Sequence, residues 1–386
     1  MLPNINRSHI IDIPRIPCII IGNKSIQFLN ISTDFVQVQS HRIMKEMVFI
    51  YPKVTMRDVA AHAGVSIATV SNVINHTKPV STDTQSRVLQ AIADLNYHPD
   101  KTAQGFKTGR KYTIGLIVPN ISSSFFASFI AHIESTLQER NYQVLIANTH
   151  EDPERETDSI RLLTSGMVDG LIIASSLTDY PQLQPFLAQK KTFPVVFLER
   201  SIHNCPFDSV RISDYHAILQ NMDYLIANGH RHIGFLYGVT TISPALERLK
   251  AYQNALQKHH IPFRESYVKH APSQTFPAVD TLIQEGCTAI VAATNKVTMD
   301  TMMYFLNHDI SIQQEIQLSG FFNEDYITAN LNSMPLILHP IRELAEQAIQ
   351  LLFRRMEYPN EPIQSIVLPG RFVPPENDCF RACLSK

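Results

Sequence analysis

The stretch that most constrains this chain is residues 55–75, TMRDVAAHAGVSIATVSNVIN, which predicts two short helices joined by a tight turn. The hydroxyl of Thr55 can cap the first helix by accepting a free backbone N–H, and Gly64 provides the permissive backbone that ends it. Ser66 can cap the second helix, whose apolar residues recur on one face. Its other face is short, polar and uncharged, which suits insertion into the major groove of DNA. The outward side chains are Ile67, Ala68, Thr69, Ser71, Asn72 and Asn75.

A third helix is predicted directly after these two. Ser81 or Thr82 can cap it, and four apolar residues would complete a three-helix core. These are Val88, Leu89, Ile92 and Leu95. We therefore predict an all-α helix-turn-helix DNA-binding domain over residues 53–98. The alternative is a small helical domain whose polar face is only solvated, and it would have to account for the caps, the turn and the third helix together.

The basic residues of the chain are unevenly distributed. Residues 53–111 contain eight Lys and Arg against four Asp, a net charge of +4, although the whole chain has a net charge of −2. A basic segment on an otherwise acidic protein indicates phosphate contacts made by that segment. The five cysteines are scattered and odd in number, which predicts free thiols in the reducing cytoplasm.

From Tyr112 onward, short apolar runs alternate with amphipathic stretches, a pattern typical of buried parallel strands and their crossover helices. Two such sets predict an α/β body of two doubly wound lobes, whose ligands bind at the carboxyl ends of the strands. The predicted strands cover 113–119, 143–148, 170–175 and 194–199, and then 232–238, 288–294 and 315–321.

Residues 55–75 strongly resemble the DNA-binding headpiece of the lactose-repressor (LacI/GalR) family of bacterial transcription regulators. The likeness continues through NYHPDKTAQGFKTGRKYTIGLIVP at 96–119 and, more loosely, over most of the body. It implies a sequence-specific DNA-binding regulator whose two lobes close over a small effector, as in periplasmic sugar-binding proteins. It also implies four regions: an atypical extension at 1–52, the headpiece at 53–98, a hinge at 99–111, and an effector-binding and dimerisation domain at 112–380.

The extension at 1–52 departs from the family, whose headpiece starts close to the chain terminus. It shows neither a steady helical nor a strand period. Its apolar run IPCIIIG is too short for a signal peptide and is followed by no small-residue cleavage site. Our hypothesis is that the protein starts at Met47, or alternatively at Met44. An intact mass that corresponds to a start at Met1 would contradict it.

The resemblance assigns base contacts to Ile67, Ala68 and Asn72 in the second helix. Ile67 and Ala68 can offer only apolar contact, for instance to a thymine methyl, so Asn72 would carry most of the hydrogen-bonded discrimination. In the hinge, Phe106 would be inserted into the minor groove as a wedge. Phosphate contacts that fix the register are expected from Thr55, Ser66, Thr69, Ser71, Asn75 and Tyr97.

The hinge departs from the family pattern Ala-Arg-x-Leu, because this chain reads Ala103-Gln104-Gly105-Phe106. Loss of the arginine removes a backbone contact. Gly105 costs about 1 kcal/mol of helix stability relative to alanine, which is consistent with a helix that forms only on DNA. A plain flexible linker is the alternative.

Six residues are candidates for the effector site through the resemblance. Phe125 and Phe126 follow the first strand of the body, although both can equally be core residues at a helix start. Arg248 matches the pocket arginine of the family, with a surface salt bridge as the alternative. The other candidates are His270, where relatives carry a stacking aromatic, Asn295, which matches the pocket Asn of the family, and Phe322.

Phe322 stands where relatives commonly carry an Asp that accepts hydrogen bonds from sugar hydroxyls. Its presence disfavours a neutral sugar held in the usual way and removes a charge that would repel an anion. Since Arg248 and Lys296 are expected nearby, the sequence favours an anionic or phosphorylated metabolite.

The predicted function is a cytoplasmic transcription regulator, most often a repressor in this family. It would bind a near-palindromic double-stranded operator as a homodimer, or as a tetramer, under the control of a sugar or sugar phosphate. A regulator without an effector and a dual activator and repressor of the fructose or catabolite type are left open, as is the choice between inducer and corepressor. No cofactor, metal or membrane partner is expected.

Two other classes of protein are disfavoured. An enzyme on an α/β scaffold is disfavoured because the sequence lacks the GxGxxG, GxxxxGK[ST], GxSxG and HExxH motifs. A transport-type binding protein built on the same lobes would need export, and the sequence contains neither a signal peptide nor a disulfide pattern.

Overall fold

The computed structural model describes residues 18–22, 25–29, 54–75, 77–97, 109–187, 193–238, 243–271, 275–312, 315–324 and 334–375. The chain forms two compact units, Met1–Asp100 and Lys101–Lys386. The predicted wedge Phe106, with Gln104 and Gly105, lies outside the described residues. None of the helices in the described segments is both long and apolar enough to cross a lipid bilayer.

The first unit contains the predicted helix-turn-helix. Val59, Val70 and Val88 come from three successive helices, are fully buried and form the centre of its core. Gly64 ends the first helix in the left-handed region at φ +65°, a conformation that glycine adopts without strain. The helices are α1 Met56–Ala63, α2 Ile67–Asn75 and α3 Thr82–Asp94.

The capping residues of these helices are as predicted. The Ser66 and Ser81 hydroxyls each accept the backbone N–H of the residue three positions ahead, which confirms both as caps. Thr55 is the N-cap of α1 and forms a capping box with Asp58, in which the Thr55 side chain faces the Asp58 backbone N–H and Asp58 Oδ2 accepts the Thr55 backbone N–H at 2.8 Å. The Thr55 hydroxyl also donates to Asp58 Oδ2 over 2.7 Å.

Leu89 was wrongly assigned to the headpiece core, since its side chain is 51% exposed. An α-helix advances about 100° per residue, so side chains three or four residues apart share a face. The core-facing row of α3 therefore runs from Val88 through Ala91 and Ile92 to Leu95. Leu89 is turned away from that row.

The extension contains a short hairpin, although the sequence predicted no regular element there. Its two strands are β1 Cys18–Gly22 and β2 Ser25–Leu29. They pair antiparallel, with Ile20 opposite Gln27. A short apolar run without a period is compatible with a strand as well as with a helix, which is why periodicity did not identify it.

The second unit contains two six-stranded sheets and the helices that cover them. The strands are β3 Thr113–Val118, β4 Gln143–Asn148, β5 Gly170–Ile173, β6 Val195–Leu198, β7 Asp208–Ser213, β8 Ile233–Tyr237, β9 Val268–His270, β10 Ala289–Ala292, β11 Gln317–Asn323, β12 Leu336–His339, β13 Ser365–Pro369 and β14 Arg371–Val373. The helices are α4 Ser124–Glu139, α5 Pro153–Thr164, α6 Tyr180–Leu187, α7 Tyr215–Ala227, α8 Ser243–Lys258, α9 Thr275–Gln284, α10 Asn295–Asn307 and α11 Ile341–Glu357.

Each sheet belongs to one lobe, as predicted. The first lobe has the strand order β13-β7-β6-β5-β3-β4 and is parallel throughout. The second has the order β14-β12-β11-β10-β8-β9 and is parallel except for β14. All seven predicted strands are present. β4 differs from its prediction as a buried strand, because it is an edge strand with Ile146 exposed.

The chain passes between the lobes three times, after β7 at Asp214, after β12 at Pro340 and after β13 at Gly370. As a result, α11 packs in the core of the first lobe although the strand before it belongs to the second. These crossovers make the carboxyl ends of the two sheets face each other. We call the region between them the interlobe cleft.

Candidate functional site

The first candidate site is the outward face of α2. Ile67 is 46% exposed and Ala68 is also exposed, whereas Val70 on the opposite side is fully buried. Asn72 is half-buried and follows Ala68 by one helical turn, so the two side chains share a face. The three residues predicted to contact bases are therefore presented together.

The side-chain amide of Asn72 has a defined orientation. The Thr77 hydroxyl donates to Asn72 Oδ1 over 2.9 Å, and the Thr77 backbone N–H donates to the Asn72 carbonyl over 3.3 Å. With its oxygen engaged, the side chain presents its NH2 group, which can donate two hydrogen bonds. This group matches acceptors at the base edges of the major groove, such as N7 and O6 of guanine.

Most residues predicted to contact phosphate make local hydrogen bonds on α2. Ser66 Oγ accepts the Thr69 backbone N–H at 3.1 Å and lies 2.9 Å from Thr69 Oγ1. Asn75 Nδ2 donates to the Ser71 carbonyl over 2.8 Å. Tyr97 differs from these residues because it packs in the headpiece core, which leaves little of its side chain for a phosphate.

The second candidate site is a buried ion pair at the lobe crossovers. Asp214 Oδ2 accepts from Arg248 Nε at 2.7 Å and lies 2.6 Å from Arg248 Nη2. His339 Nε2 is 3.1 and 3.2 Å from the two carboxylate oxygens of Asp214. Arg248 also donates to the Ala293 carbonyl over 3.0 Å, and its guanidinium lies 4.5 Å from the centroid of the Phe321 ring. Because Arg248 is only 6% exposed, the alternative of a surface salt bridge was wrong.

All three crossovers meet at Asp214. His339 immediately precedes the second crossover, and a Cβ on Gly370 at the third would overlap Asp214 Oδ1. Burial by itself raises the pKa of Asp214, but the charges of Arg248 and His339 more than offset burial, so the pKa lies well below its usual value. The Asp214 carboxylate is therefore ionised and lies where the three interlobe crossovers meet.

Two buried side-chain amides, those of Asn295 and Asn323, also connect the lobes. Asn295, the first residue of α10, donates through Nδ2 to Asn323 Oδ1 over 2.8 Å. Asn323, the last residue of β11, donates across the cleft to the Ser124 carbonyl at 2.9 Å and to Ser128 Oγ at 3.0 Å, both on α4. Asn295 was predicted from the sequence, whereas Asn323 was not.

Phe125 and Phe126 lie at the start of α4, next to this bridge. The Phe125 ring is edge-on to Phe126 and to His339, with centroid distances of 5.1 and 5.5 Å. Both phenylalanines belong to the core of the first lobe, as their alternative interpretation proposed. The structure thus brings Phe125 and Asn295, with Arg248, to the interlobe cleft.

Two other predicted residues have different surroundings. Phe322 packs in the core of the second lobe. His270 is exposed at the end of β9, and its ring contact is with Tyr237, at a centroid distance of 5.5 Å.

The cations that favoured an anionic effector are already paired. Arg248 is neutralised by Asp214, and Lys296 forms an exposed ion pair with Asp300 one helical turn further along α10. A phosphate would have to compete with a carboxylate at each of them. The sequence argument for an anionic effector therefore does not apply to the folded protein.

The first lobe contributes charged residues to the cleft that sequence reasoning missed. Arg200 donates to the two carboxylate oxygens of Glu151 over 2.6 and 2.7 Å, and to the Ser175 carbonyl over 2.9 Å. Glu199 and Arg200 directly follow β6, and Glu199 is the last residue of the run 194–199 that was predicted as a strand. A polar residue at the carboxyl end of a buried parallel strand is a signal for such a site. The same signal applies to Asn323 after β11.

The described residues support neither a metal-binding site nor a nucleophilic cysteine. No group of three or more His, Cys, Asp or Glu side chains in these segments is arranged to hold a metal ion. Cys205 and Cys287 are free thiols, and burial raises their pKa values to about 11 and about 12. Thiols with such pKa values are poor nucleophiles at neutral pH.

Two protein-family models match this chain. Residues 55–100 match the bacterial regulatory proteins of the lacI family, and residues 111–335 match the periplasmic binding proteins and sugar binding domain of the LacI family. The chain is 30% identical over 311 residues to the HTH-type transcriptional repressor PurR of Photobacterium profundum, covering 79% of this chain and 93% of that protein. It is 27% identical over 325 residues to catabolite control protein A of Priestia megaterium, covering 82% and 97% of the two chains.

Among solved structures, the chain is similar to the lac repressor dimer bound to operator and the anti-inducer ONPF. The TM-score is 0.71 at 23% sequence identity, and the match covers 83% of this chain and 98% of that chain. At this identity the likeness concerns the fold.

Proposed function

The chain belongs to the LacI family of bacterial regulatory proteins, and from this premise we propose that it is a cytoplasmic repressor that binds a near-palindromic operator as a homodimer. Family membership makes it a DNA-binding transcription regulator under the control of a small molecule. The observation that carries the operator proposal is the outward face of α2, where Ile67, Ala68 and Asn72 are presented together above a buried Val70.

A homodimer is supported by an exposed apolar row on α10. The row consists of Met299, Met303 and Leu306, which share one face of the helix and are 46%, 48% and 68% exposed. In the first lobe, Ile146 on the edge strand β4 and Leu162 on α5 are also exposed. Grouped exposed apolar side chains mark protein–protein contacts more often than free surface. Two headpieces on one operator require such a contact.

The interlobe cleft is the proposed effector site. Asp214, Arg248, Asn295 and Asn323 converge there at the carboxyl ends of the strands, where ligands of doubly wound sheets bind. An effector with different affinities for the open and closed lobes would shift the population between them and, through the dimer, change DNA binding.

The operator proposal is tested by selecting bound duplexes from a randomised pool with the full-length protein. We expect a near-palindrome with an easily kinked central step, because a dimer reads two half-sites and a hinge wedge needs an unstacked base step. The selection is repeated with pooled metabolites, since a corepressor would be required if the free protein does not bind. Absence of enrichment under both conditions would contradict the proposal.

Replacing Asn72 with alanine should relax base preference at one position of each half-site. The lost contact corresponds to about 1–3 kcal/mol of discrimination against the wrong base. Selection with the Asn72→Ala variant measures this preference at every position. Asn75→Ala is the matched control, because loss of a phosphate contact should weaken binding to all DNA sequences equally. Uniform weakening by Asn72→Ala would contradict its assignment as a base contact.

A further inference from the structure

Thr77 follows α2 and folds back onto the helix. Its backbone N–H donates to the Asn72 carbonyl over 3.3 Å, which closes a π-turn at the end of α2. This bond involves only backbone atoms, so it fixes the path of the chain whatever side chain stands at position 77. The turn places the hydroxyl of Thr77 next to the side chain of Asn72.

The Thr77 hydroxyl makes the hydrogen bond that orients the Asn72 amide. It donates to Asn72 Oδ1 over 2.9 Å. Within residues 54–75 and 77–97, no protein group accepts a hydrogen bond from Asn72 Nδ2. The amide oxygen is therefore held against the turn, and the two N–H donors of the amide are left for a partner outside the protein.

This hydrogen bond contributes little to the stability of the headpiece. Thr77 is exposed and Asn72 is half-buried, so water competes for both groups in the free protein. The core of the headpiece is formed by apolar side chains and includes neither residue. Bound DNA would exclude the competing water, and a hydrogen bond is stronger in such dehydrated surroundings. We therefore expect the bond to affect DNA recognition rather than folding.

The orientation of an asparagine amide decides which base it recognises. Adenine presents an N7 acceptor and an N6 amino donor, so asparagine binds it through Oδ1 and Nδ2 together. Guanine presents two acceptors, N7 and O6, so donors alone can bind it. An amide whose oxygen is held against Thr77 presents donors to the groove, and the amino group of adenine would then lose its acceptor, which disfavours adenine.

The space beside Asn72 leaves room for the amide to turn over. A groove of about 260 Å³ lies between α2 and α3 and is lined in part by Asn72, Lys78 and Gln85. The terminal torsion of asparagine has broad minima, so an amide released from its hydrogen bond can rotate in such a space. The Thr77 hydroxyl is therefore the group that selects one of the two amide orientations.

We propose that Thr77 is a positioning residue for base recognition, and that it makes Asn72 select guanine over adenine at its position in each half-site. This inference rests on the proposed function, because it takes α2 as the element that reads the operator. It adds to that function the identity of one base and a residue that acts through Asn72.

The test is a titration of the full-length protein against four operators that differ only at the base pair read by Asn72. This base pair is the position at which Asn72→Ala relaxes the preference, and it is changed in one half-site only. Thr77→Val removes the hydroxyl but keeps the branched shape and the backbone N–H. Thr77→Ser keeps the hydroxyl and is the conservative control. The double variant Asn72→Ala, Thr77→Val shows whether Thr77 acts through Asn72.

Wild type is expected to bind one of the two G·C operators about 10-fold more tightly than either A·T operator. Thr77→Val should lose this preference, a change of about 10-fold in the ratio, because the released amide can turn and pair with adenine. Thr77→Ser should keep the preference, and the double variant should show the same base preference as Asn72→Ala alone. The Tm of Thr77→Val should equal that of wild type, because backbone atoms close the turn.

Several results would overturn the inference and leave the operator proposal intact. A wild-type preference for an A·T pair would mean that Asn72 presents its oxygen to the base. An unchanged preference in Thr77→Val, or equal weakening of all four operators, would show that Thr77 does not orient the amide. A change of preference by Thr77→Val without the Asn72 amide would mean that Thr77 contacts the base directly. If wild type enriches no operator, with or without metabolites, the proposed function itself fails and the inference fails with it.

Discussion

Replacing Arg248 with methionine is expected to lower the free energy of unfolding of the body by about 3–5 kcal/mol at pH 7, because it leaves the Asp214 carboxylate buried without its main partner. The loss is large because Asp214 lies at the point where all three crossovers meet and is almost fully buried. Urea unfolding at pH 7 measures the change. Methionine is chosen because its length preserves most of the packing over the Phe321 ring.

The matched control is Arg155→Met. Arg155 pairs with Asp152 at 3.6 Å, and both side chains are largely exposed, so its loss should cost at most about 1 kcal/mol. Adding Asp214→Asn to Arg248→Met should recover part of the stability, because the uncompensated charge is then removed. Equal losses of unfolding free energy for Arg248→Met and Arg155→Met would show that the buried Arg248–Asp214 pair does not stabilise the junction between the lobes.

The direction in which the stability of Arg248→Met changes with pH can be stated. In wild type the pKa of Asp214 is lowered, so the stability it contributes is present above the unfolded-state pKa of about 3.9 and is lost as pH falls towards the lower folded-state value. Without Arg248, burial dominates and the folded-state pKa rises. The carboxyl then takes up a proton more readily in the folded variant, so the difference in unfolding free energy between variant and wild type should narrow as pH falls through this raised pKa, that is, beginning above about pH 4.

Replacing Met303 with lysine is expected to separate the proposed homodimer and to weaken operator binding about 100-fold or more, since two linked headpieces gain about that much over one. Met303 lies in the middle of the exposed apolar row on α10, between Met299 and Leu306. A lysine there would bury a charge in the apolar contact twice, once from each copy, because a two-fold interface repeats every residue. Sedimentation velocity and operator titration measure the two effects.

Gln350→Lys serves as the control for added charge. Gln350 is exposed on α11, on the side of the helix away from the core of the first lobe. It should change neither the sedimentation coefficient nor the operator affinity. A Met303→Lys protein that remains a dimer with unchanged operator affinity would show that the dimer does not use the α10 row.

Local features of this chain were well predicted from its sequence. The turn at Gly64, the caps at Ser66 and Ser81 and the seven strands depend on interactions within a few residues, and those interactions leave a readable pattern. One local error arose on α3, where Leu89 was assigned to the core because it is apolar, although its position on the helix turns its side chain outward.

Two of the site residues that were missed, Asp214 and His339, lie at the ends of strands that were not predicted. β7 has the sequence DSVRIS and β12 has only four residues, so neither shows a long apolar run. Asp214 and His339 stand at the ends of these two strands. Because the strands were not identified, their ends could not be considered as parts of a site.

The sequence by itself determined that this chain carries a helix-turn-helix with Ile67, Ala68 and Asn72 outward, and a body of two doubly wound lobes. Helical and strand periods impose these features locally. Only the tertiary structure decided that Arg248 is a partner of Asp214 rather than a free cation, and that Asn323 connects the two lobes through Ser124 and Ser128. The reason is that these residues come together through three crossovers between the lobes, and the spacing of residues along the chain does not encode which strand ends will meet.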